Sequence, residues 1–553
     1  MRMRGRGWCL LLLLLSAPAG MAQDAMDHDL LEVTVPQLQQ MYRDHKYTVT
    51  QVVQWYLARI AKYNGIYRAV QNVDSAGALA TAAREDAEAT PHGALWGIPI
   101  VTKANTSVKG LVTTDGWRGY IIPGHELMAP KDADIVARLR AAGAIIVGQT
   151  NMPDFAASDT NRSTAFGRTG NAYDVRFSPG GSSGGTVTAV TANFAVLGNG
   201  TDTGNSIRMP SATSSVVGVF PSRGLVSIAG IAPLDWLLDN TGPIARDVTD
   251  ATIALDAVAE ANPKAERGPY TAYLKADALR GKRFGVPAFV LEGAGIPFQG
   301  IPSTESPSMA AADREAAKVA LRPETRAAFM KALEGLRAAG ATVVIDDSIL
   351  PDSFAENISF VFTLPYIREG TEKFLGAYGP AQYHSIEEYE KVVGAPFPAT
   401  IVDGSTDLDG AEARKGKPRT QQAILENDPG AQANYWGPRG KALATYNETL
   451  DRMHLDGYVY PATQMPPPDE TMPQDGIISG GPHSDTSWVN MIGVPAVVLP
   501  GGFYPDGLPF GLEISARPWK DGDLLGWAYA YEQATHHRRP PVLVEKGLLP
   551  DAR

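Results

Sequence analysis

The stretch that most constrains this chain runs from Ser178 to Ser211 and reads SPGGSSGGTVTAVTANFAVLGNGTDTGNSIRMPS. Two glycine-rich knots, Gly180–Gly185 and Gly198–Gly204, flank an apolar segment. Glycine tolerates positive φ and lets backbone come close to a ligand. Thr186–Asn193 suits a short helix, and Phe194–Leu197 suits a short buried strand. A helix followed by a returning strand brings both knots to one end. Ser182 in the first knot and Ser206 just after the second, 24 residues apart, can then share one pocket.

A third element lies upstream. Trp96–Thr102 is a short β-rich run that ends at Lys103, within Gly97-Ile98-Pro99-Ile100-Val101-Thr102-Lys103. Read alone, Lys103 is a surface lysine after a strand, because most lysines are solvated. The two serine motifs reverse that reading. GGSSGG and GTDTGNS, with this lysine run before them, resemble the amidase signature family of serine hydrolases. The resemblance continues in Gln149-Thr150-Asn151-Met152-Pro153, in Asp239-Asn240-Thr241-Gly242-Pro243, and in Gly493-Val494-Pro495-Ala496 through Arg517-Pro518. It spans about Thr34 to Pro541 and is weakest in the middle third.

The resemblance implies an α/β fold: one large domain with a mixed central β-sheet covered by helices on both faces. It implies amide hydrolysis through an acyl-enzyme on Ser206, with Ser182 as proton relay and Lys103 as general base. It also implies a cis peptide bond at Ser182. Such a reaction needs a nucleophile, a base, a proton for the leaving nitrogen and donors for the oxyanion. A lysine is a base only when neutral, and burial is the way to disfavour its charge. The N–H groups of Thr203, Gly204 and Asn205 are the expected oxyanion hole, with Asp202 and Arg208 as an ion pair holding the turn. Asn151 and Asp154 either line the pocket or build a turn. Two positions depart from the common family pattern. Asn205 stands where a second glycine is usual; asparagine is the next best residue for a left-handed backbone. Ala104 stands where an aspartate often follows the lysine, which removes a carboxylate that would favour the charged lysine.

Composition narrows the chemistry. The single cysteine, Cys9, lies in an N-terminal stretch with Arg2, Arg4 and Arg6, an apolar Trp8–Leu15 and a small-residue Ala17–Ala22. That pattern predicts a signal peptide over 1–22, cleaved before Gln23, and hence a periplasmic or secreted protein. The mature chain then has no thiol for disulfides, zinc or nucleophilic attack. The nine histidines show no ligand spacing, so neither a metal nor another cofactor is expected. A net charge of −11 without a basic run argues against nucleic acid. The expected partner is a small-molecule amide, with no stable membrane anchor; a homodimer is left open.

Along the chain, helices are expected over Thr50–Lys62, Ala76–Glu88, Asp134–Ala142, Glu324–Ala339 and Asp523–Ala534, with strands at Ala144–Val147, Gly281–Val290, Gly457–Pro461 and Ala496–Leu499. Thr371–Arg439 has weak periodicity and many Gly and Pro, as a lid or substrate-shaping insertion would. Two other readings compete. Gly180-x-Ser182-x-Gly184 matches the elbow of α/β-hydrolase esterases, with His454 or His483 as base; Pro179 argues against it, because an elbow follows a strand. A non-catalytic binding protein of the same fold is the third reading. Substrate identity does not follow from the residues.

Overall fold

A computed structural model describes residues 19–88, 92–287, 289–292, 321–346, 348–403, 420–470, 481–482, 484 and 486–541. Most of the expected signal peptide, Met1–Pro18, lies outside the described residues. Its last residues open the helix Ala19–Leu30, and cleavage before Gln23 would remove the first turn of that helix.

The fold is built on one mixed sheet. In chain order its strands are β1 (Val70–Val73), β2 (Ile98–Lys103), β3 (Ala144–Thr150), β4 (Leu197–Asp202), β5 (Val217–Phe220), β6 (Asn240–Ala245), β7 (Arg283–Pro287), β8 (Thr342–Asp346), β9 (Gly457–Pro461), β10 (Ala496–Phe503) and β11 (Pro509–Ala516). Their spatial order is β1-β3-β2-β4-β6-β5-β10-β11-β9-β7-β8. The β3–β2–β4 and β9–β7–β8 pairings are parallel. The centre, β4–β6–β5–β10–β11–β9, is antiparallel. Every residue of β2, β3, β4, β6, β9 and β11 is buried. Successive side chains point to opposite faces, so both faces of the sheet are covered. The edge strand β8 is largely exposed.

Local chemistry explains the elements beside the site. Ile98, Ile100, Val101 and Thr102 are β-branched and suit a pleated, buried strand. This strand carries Lys103 to the C-terminal edge of the sheet, opposite Thr150 of β3. The helix Asp134–Ala141 ends at Gly143, whose φ of +89° suits glycine. Thr48 caps the helix Val49–Tyr67 with a reciprocal bond to Gln51.

One expectation is corrected. The strand after the first knot is Leu197–Asp202 rather than Phe194–Leu197. Asn193, at φ +58°, ends the helical run, and Phe194–Val196 fill the core as a connection. The polar, glycine-rich residues form the strand because their neighbours leave no room for more. A Cβ on Gly198 would fall 2.8 Å from Val101, and one on Gly200 2.8 Å from Ile244 and Ser183. The region 371–439, expected as a lid or substrate-shaping insertion, is partly helical. Its described part holds the helices Ile386–Val393 and Ala399–Val402 and most of Ile367–Tyr378. Their Phe374, Tyr378, Tyr389 and Phe397 pack with Tyr120 and Phe155 in a second core, against which Trp117 also packs.

Candidate active site

β2 and β4 are parallel neighbours, with Val101 beside Gly198. Lys103 at the end of β2 therefore faces the turn that follows β4. The helix Gly184–Thr191 starts at the end of the first knot, within it, and packs against both strands. The Ser183 N–H donates to the Ser206 carbonyl at 3.2 Å, which ties the two knots together. The expected meeting of Ser182 and Ser206 at one end of the sheet is what the backbone builds. The Gly181–Ser182 peptide bond is cis.

Lys103 and Ser182 are fully buried, whereas Ser206 is 6% exposed. Ser206 is thus the member of the set that a ligand reaches from outside. Lys103 Nζ lies 2.7 Å from Ser182 Oγ, 3.1 Å from Ser183 Oγ, 2.8 Å from Thr201 Oγ1 and 3.4 Å from the Thr201 carbonyl. Burial lowers the Lys103 pKa to about 7, while the carboxylates of Asp115, Asp202 and Asp239 act the other way. An amine at that value is both neutral and charged in comparable amounts near neutral pH, as a proton-transferring group must be. Among the described residues no hydrogen bond occupies Ser206 Oγ.

At Ala104, which stands where an aspartate often follows the lysine, another acidic residue comes near from elsewhere in the chain. The Asp115 N–H donates to the Ala104 carbonyl at 3.1 Å. Asp115 is buried; burial pushes its carboxyl well above the usual carboxylate range, and the nearby Lys103 acts the other way.

The turn Thr203–Ser206 spends none of its N–H groups on an acceptor among the described residues. Gly204 faces open space: a Cβ there would meet only Ser487, at 3.9 Å. These free donors suit a developing oxyanion. No residue of the turn has positive φ, so Asn205 is not there for a left-handed backbone. Side chains hold the turn instead. Asp202 accepts from the Ile207 N–H at 3.0 Å and from Arg208 Nε at 3.1 Å. Arg208 Nη2 donates to the Gly204 carbonyl. Arg208 Nη1 donates to Glu513 at 2.7 Å and to Thr486 Oγ1 at 2.7 Å. Burial opposes the charge of Arg208, but the carboxylates of Asp202 and Glu513 outweigh it and keep the guanidinium charged. Asn490 donates to the Asp202 carbonyl at 2.8 Å, and Thr203 Oγ1 to Asp239 at 2.6 Å.

Sequence reading found Asp202 and Arg208 but missed Glu513, Asn490 and Thr486, which close the network from far along the chain. Thr201 and Ser183 lay inside the recognised motifs and carried a local signal. Asn151 and Asp154 take the turn role. Asn151 Nδ2 donates to the Gly167 carbonyl and to Thr169, and Asp154 accepts from the Thr164 N–H at 2.7 Å and Oγ1 at 2.6 Å. The esterase elbow does not match the geometry. No strand leads directly into Ser182, whose hydroxyl is engaged by Lys103. His454 is exposed beyond the end of the helix Gly437–Arg452, and His483 lies outside the described residues. Among the described residues no group of His, Cys, Asp or Glu could hold a metal ion, and no helix is long and apolar enough to cross a membrane.

Known proteins share this fold and sequence. The solved peptide amidase from Stenotrophomonas maltophilia superposes with a TM-score of 0.70 at 28% identity, covering 92% of this chain and 98% of that one. An amidase family protein from Bacillus anthracis shares the fold with a TM-score of 0.70 at 24% identity, covering 95% of each chain. In sequence, a glutamyl-tRNA(Gln) amidotransferase subunit from Symbiobacterium thermophilum is 32% identical over 486 residues, 84% of this chain and 88% of that protein. The family model named Amidase matches residues 51–525, which takes in the lysine strand, both serine knots and the distant residues that brace them; the chain is a member of the amidase family, the signature set to which its motifs pointed.

Proposed function

We propose that this protein is an exported serine amidohydrolase that cleaves the C–N bond of a linear carboxylic amide of small size. The observation that carries the reading is the fully buried Lys103 2.7 Å from Ser182 Oγ, with its pKa lowered to about 7. A structural lysine would be charged and paired with a carboxylate; this one is bonded to hydroxyls.

In the proposed cycle, neutral Lys103 takes the Ser182 hydroxyl proton while Ser182 takes that of Ser206. The Ser206 oxygen attacks the amide carbonyl. The N–H groups of Thr203, Gly204 and Asn205 receive the oxyanion. The intermediate collapses as the proton returns from Lys103 through Ser182 to the leaving nitrogen. The C–N bond breaks, the amine leaves and an ester on Ser206 remains. Water then repeats the sequence in place of Ser206, the ester C–O bond breaks, and the acid leaves. Asp202 and Arg208 hold the turn in register and do not touch the reacting atoms.

Export is proposed from the charged, apolar and small-residue pattern of Met1–Ala22. It favours a water-accepting hydrolase over transfer to a cytosolic acceptor. The test is a panel of matched amides, anilides, esters and carbamates with the purified protein and its Ser206→Ala, Ser182→Ala and Lys103→Ala variants. Turnover of an amide by wild type and its loss in Ser206→Ala is the expected result. Full turnover by Ser206→Ala would refute the proposal.

A further inference from the structure

The β4–β6 ladder stops where the catalytic turn begins. Its last pair is Asp202 with Asn240, so the next residues facing each other are Thr203 and Asp239. No backbone hydrogen bond joins those two. A ladder carried on into the turn would spend its peptide N–H groups on acceptors. A side-chain bond takes over instead: Thr203 Oγ1 donates to Asp239 Oδ1 at 2.6 Å. It holds the residue and leaves the Thr203 N–H free. Threonine is stiff at χ1 because it is branched at Cβ, so fixing its hydroxyl also fixes how its backbone lies.

Of the two partners, Asp239 is the anchored one. Its Oδ2 accepts from the Leu234 N–H at 3.1 Å, and its Oδ1 also accepts from the Asp235 N–H at 3.4 Å. Its own N–H donates to the Asp235 carbonyl at 2.7 Å, and its carbonyl accepts from Arg223 Nη1 at 3.2 Å. The turn that carries it is docked from its far side as well. Trp236 Nε1 donates to the Tyr366 carbonyl and Tyr435 Oη to the Leu237 carbonyl, each at 3.1 Å. Thr203 is half-buried, and among the described residues Asp239 is the one partner of its hydroxyl. The latch needs an acceptor oxygen rather than a charge, and a carboxyl offers one in either protonation state.

We propose that Asp239 is a positioning residue for the reaction: through the Thr203 hydroxyl it aims the Thr203 N–H, the first donor of the turn, at the oxyanion. This rests on Ser206 being the nucleophile and on the turn being its oxyanion hole. Asp239 touches no reacting atom. Its contribution arises because an oxyanion donor acts only when it is already directed at the place where charge develops.

Two probes test this without a known substrate. n-Butylboronic acid forms a tetrahedral adduct on a nucleophilic serine, with a boron-bound oxygen where the oxyanion would lie, and its Kd is measured by calorimetry. A fluorophosphonate gives the rate of attack. Thr203→Val keeps the branched shape and removes the hydroxyl; Thr203→Ser puts the hydroxyl back. Thr203→Val is expected to bind the boronic acid about tenfold more weakly and to be labelled about tenfold more slowly, less than the roughly hundredfold of a donor lost outright. Thr203→Ser should recover most of both, a rescue that loss of packing alone would not give. Asp239→Ala should match Thr203→Val, and the double variant should be no worse than either, because both remove the same bond. Circular dichroism and thermal unfolding report the fold; if Asp239→Ala does not fold, the valine and serine variants decide alone. Wild-type values in Thr203→Val, or a serine variant as impaired as the valine one, would overturn the role of Asp239 while leaving Ser206 in place. So would additive losses in a folded double variant. A wild type that takes up neither probe would bring down the Ser206 reading and this one with it.

Discussion

Replacing Lys103 by alanine should remove one limb of the pH–rate profile, and the size of that limb follows from burial. Lowering the lysine from 10.5 to about 7 corresponds to about 5 kcal/mol against the charged form. The sign is that of a buried base: the competent neutral form is lost as pH falls through about 7. At an ordinary lysine pKa, roughly one molecule in three thousand would be competent at neutral pH. With the lowered value about half are, a gain on the order of a thousandfold. The assay is kcat/KM for one neutral amide between about pH 5 and pH 10. Wild type should lose about tenfold per pH unit on the acid side, bend near pH 7 and stay flat above. Asp239 and Asp159 are also pushed up to about 7 by burial, so the limb must be assigned by substitution. Lys103→Ala should lose most activity, and its residual rate should be flat through that region. A limb that persists at the same pH in Lys103→Ala, or a wild-type bend near 10, would refute the role of this lysine.

Three further outcomes are expected. Arg208→Met leaves the buried Asp202 and Glu513 without their cation, and should cost about 3–5 kcal/mol of stability together with most activity; adding Glu513→Gln should return part of the stability, and additive losses in thermal unfolding would count against the network. Chelators and thiol-alkylating reagents should leave activity intact, since the mature chain would have no cysteine; a loss restored by zinc would contradict the mechanism. Intact-mass analysis of the native envelope fraction should find a chain starting near Gln23, and a mature protein that keeps Trp8–Leu15 would rule out the export reading.

The reacting groups were legible because each sits in a run whose local composition is unusual. Ser182 and Ser206 stand in glycine knots, and Lys103 ends a β-branched strand. What braces them was not legible, because Glu513, Asn490 and Thr486 reach Arg208 and Asp202 across 278 to 305 residues of chain. No spacing rule connects residues so far apart. The β4 strand was displaced in the sequence reading because Leu197–Asp202 is polar and glycine-rich, whereas the apolar Phe194–Val196 before it looked more strand-like. The helices of the middle region were hidden by length. Gly379-Pro380, Gly394 and Pro398 cut them into pieces of 12, 8 and 4 residues, too short to display a helical period. The departure at Ala104 was visible, but Asp115, whose N–H meets the Ala104 carbonyl, needed the fold.

The central claim is the division of labour between the two serines, and a fluorophosphonate probe tests it most directly. The probe bonds covalently to the serine that attacks, and peptide mass spectrometry locates the phosphonate. Ser206 lies beside the free N–H groups of Thr203–Asn205, which would hold the phosphonyl oxygen as they hold an oxyanion. Ser182 is fully buried against Lys103. The label is predicted on Ser206, absent in Ser206→Ala and greatly slowed in Lys103→Ala. A label on Ser182 in the folded wild-type protein would contradict the account.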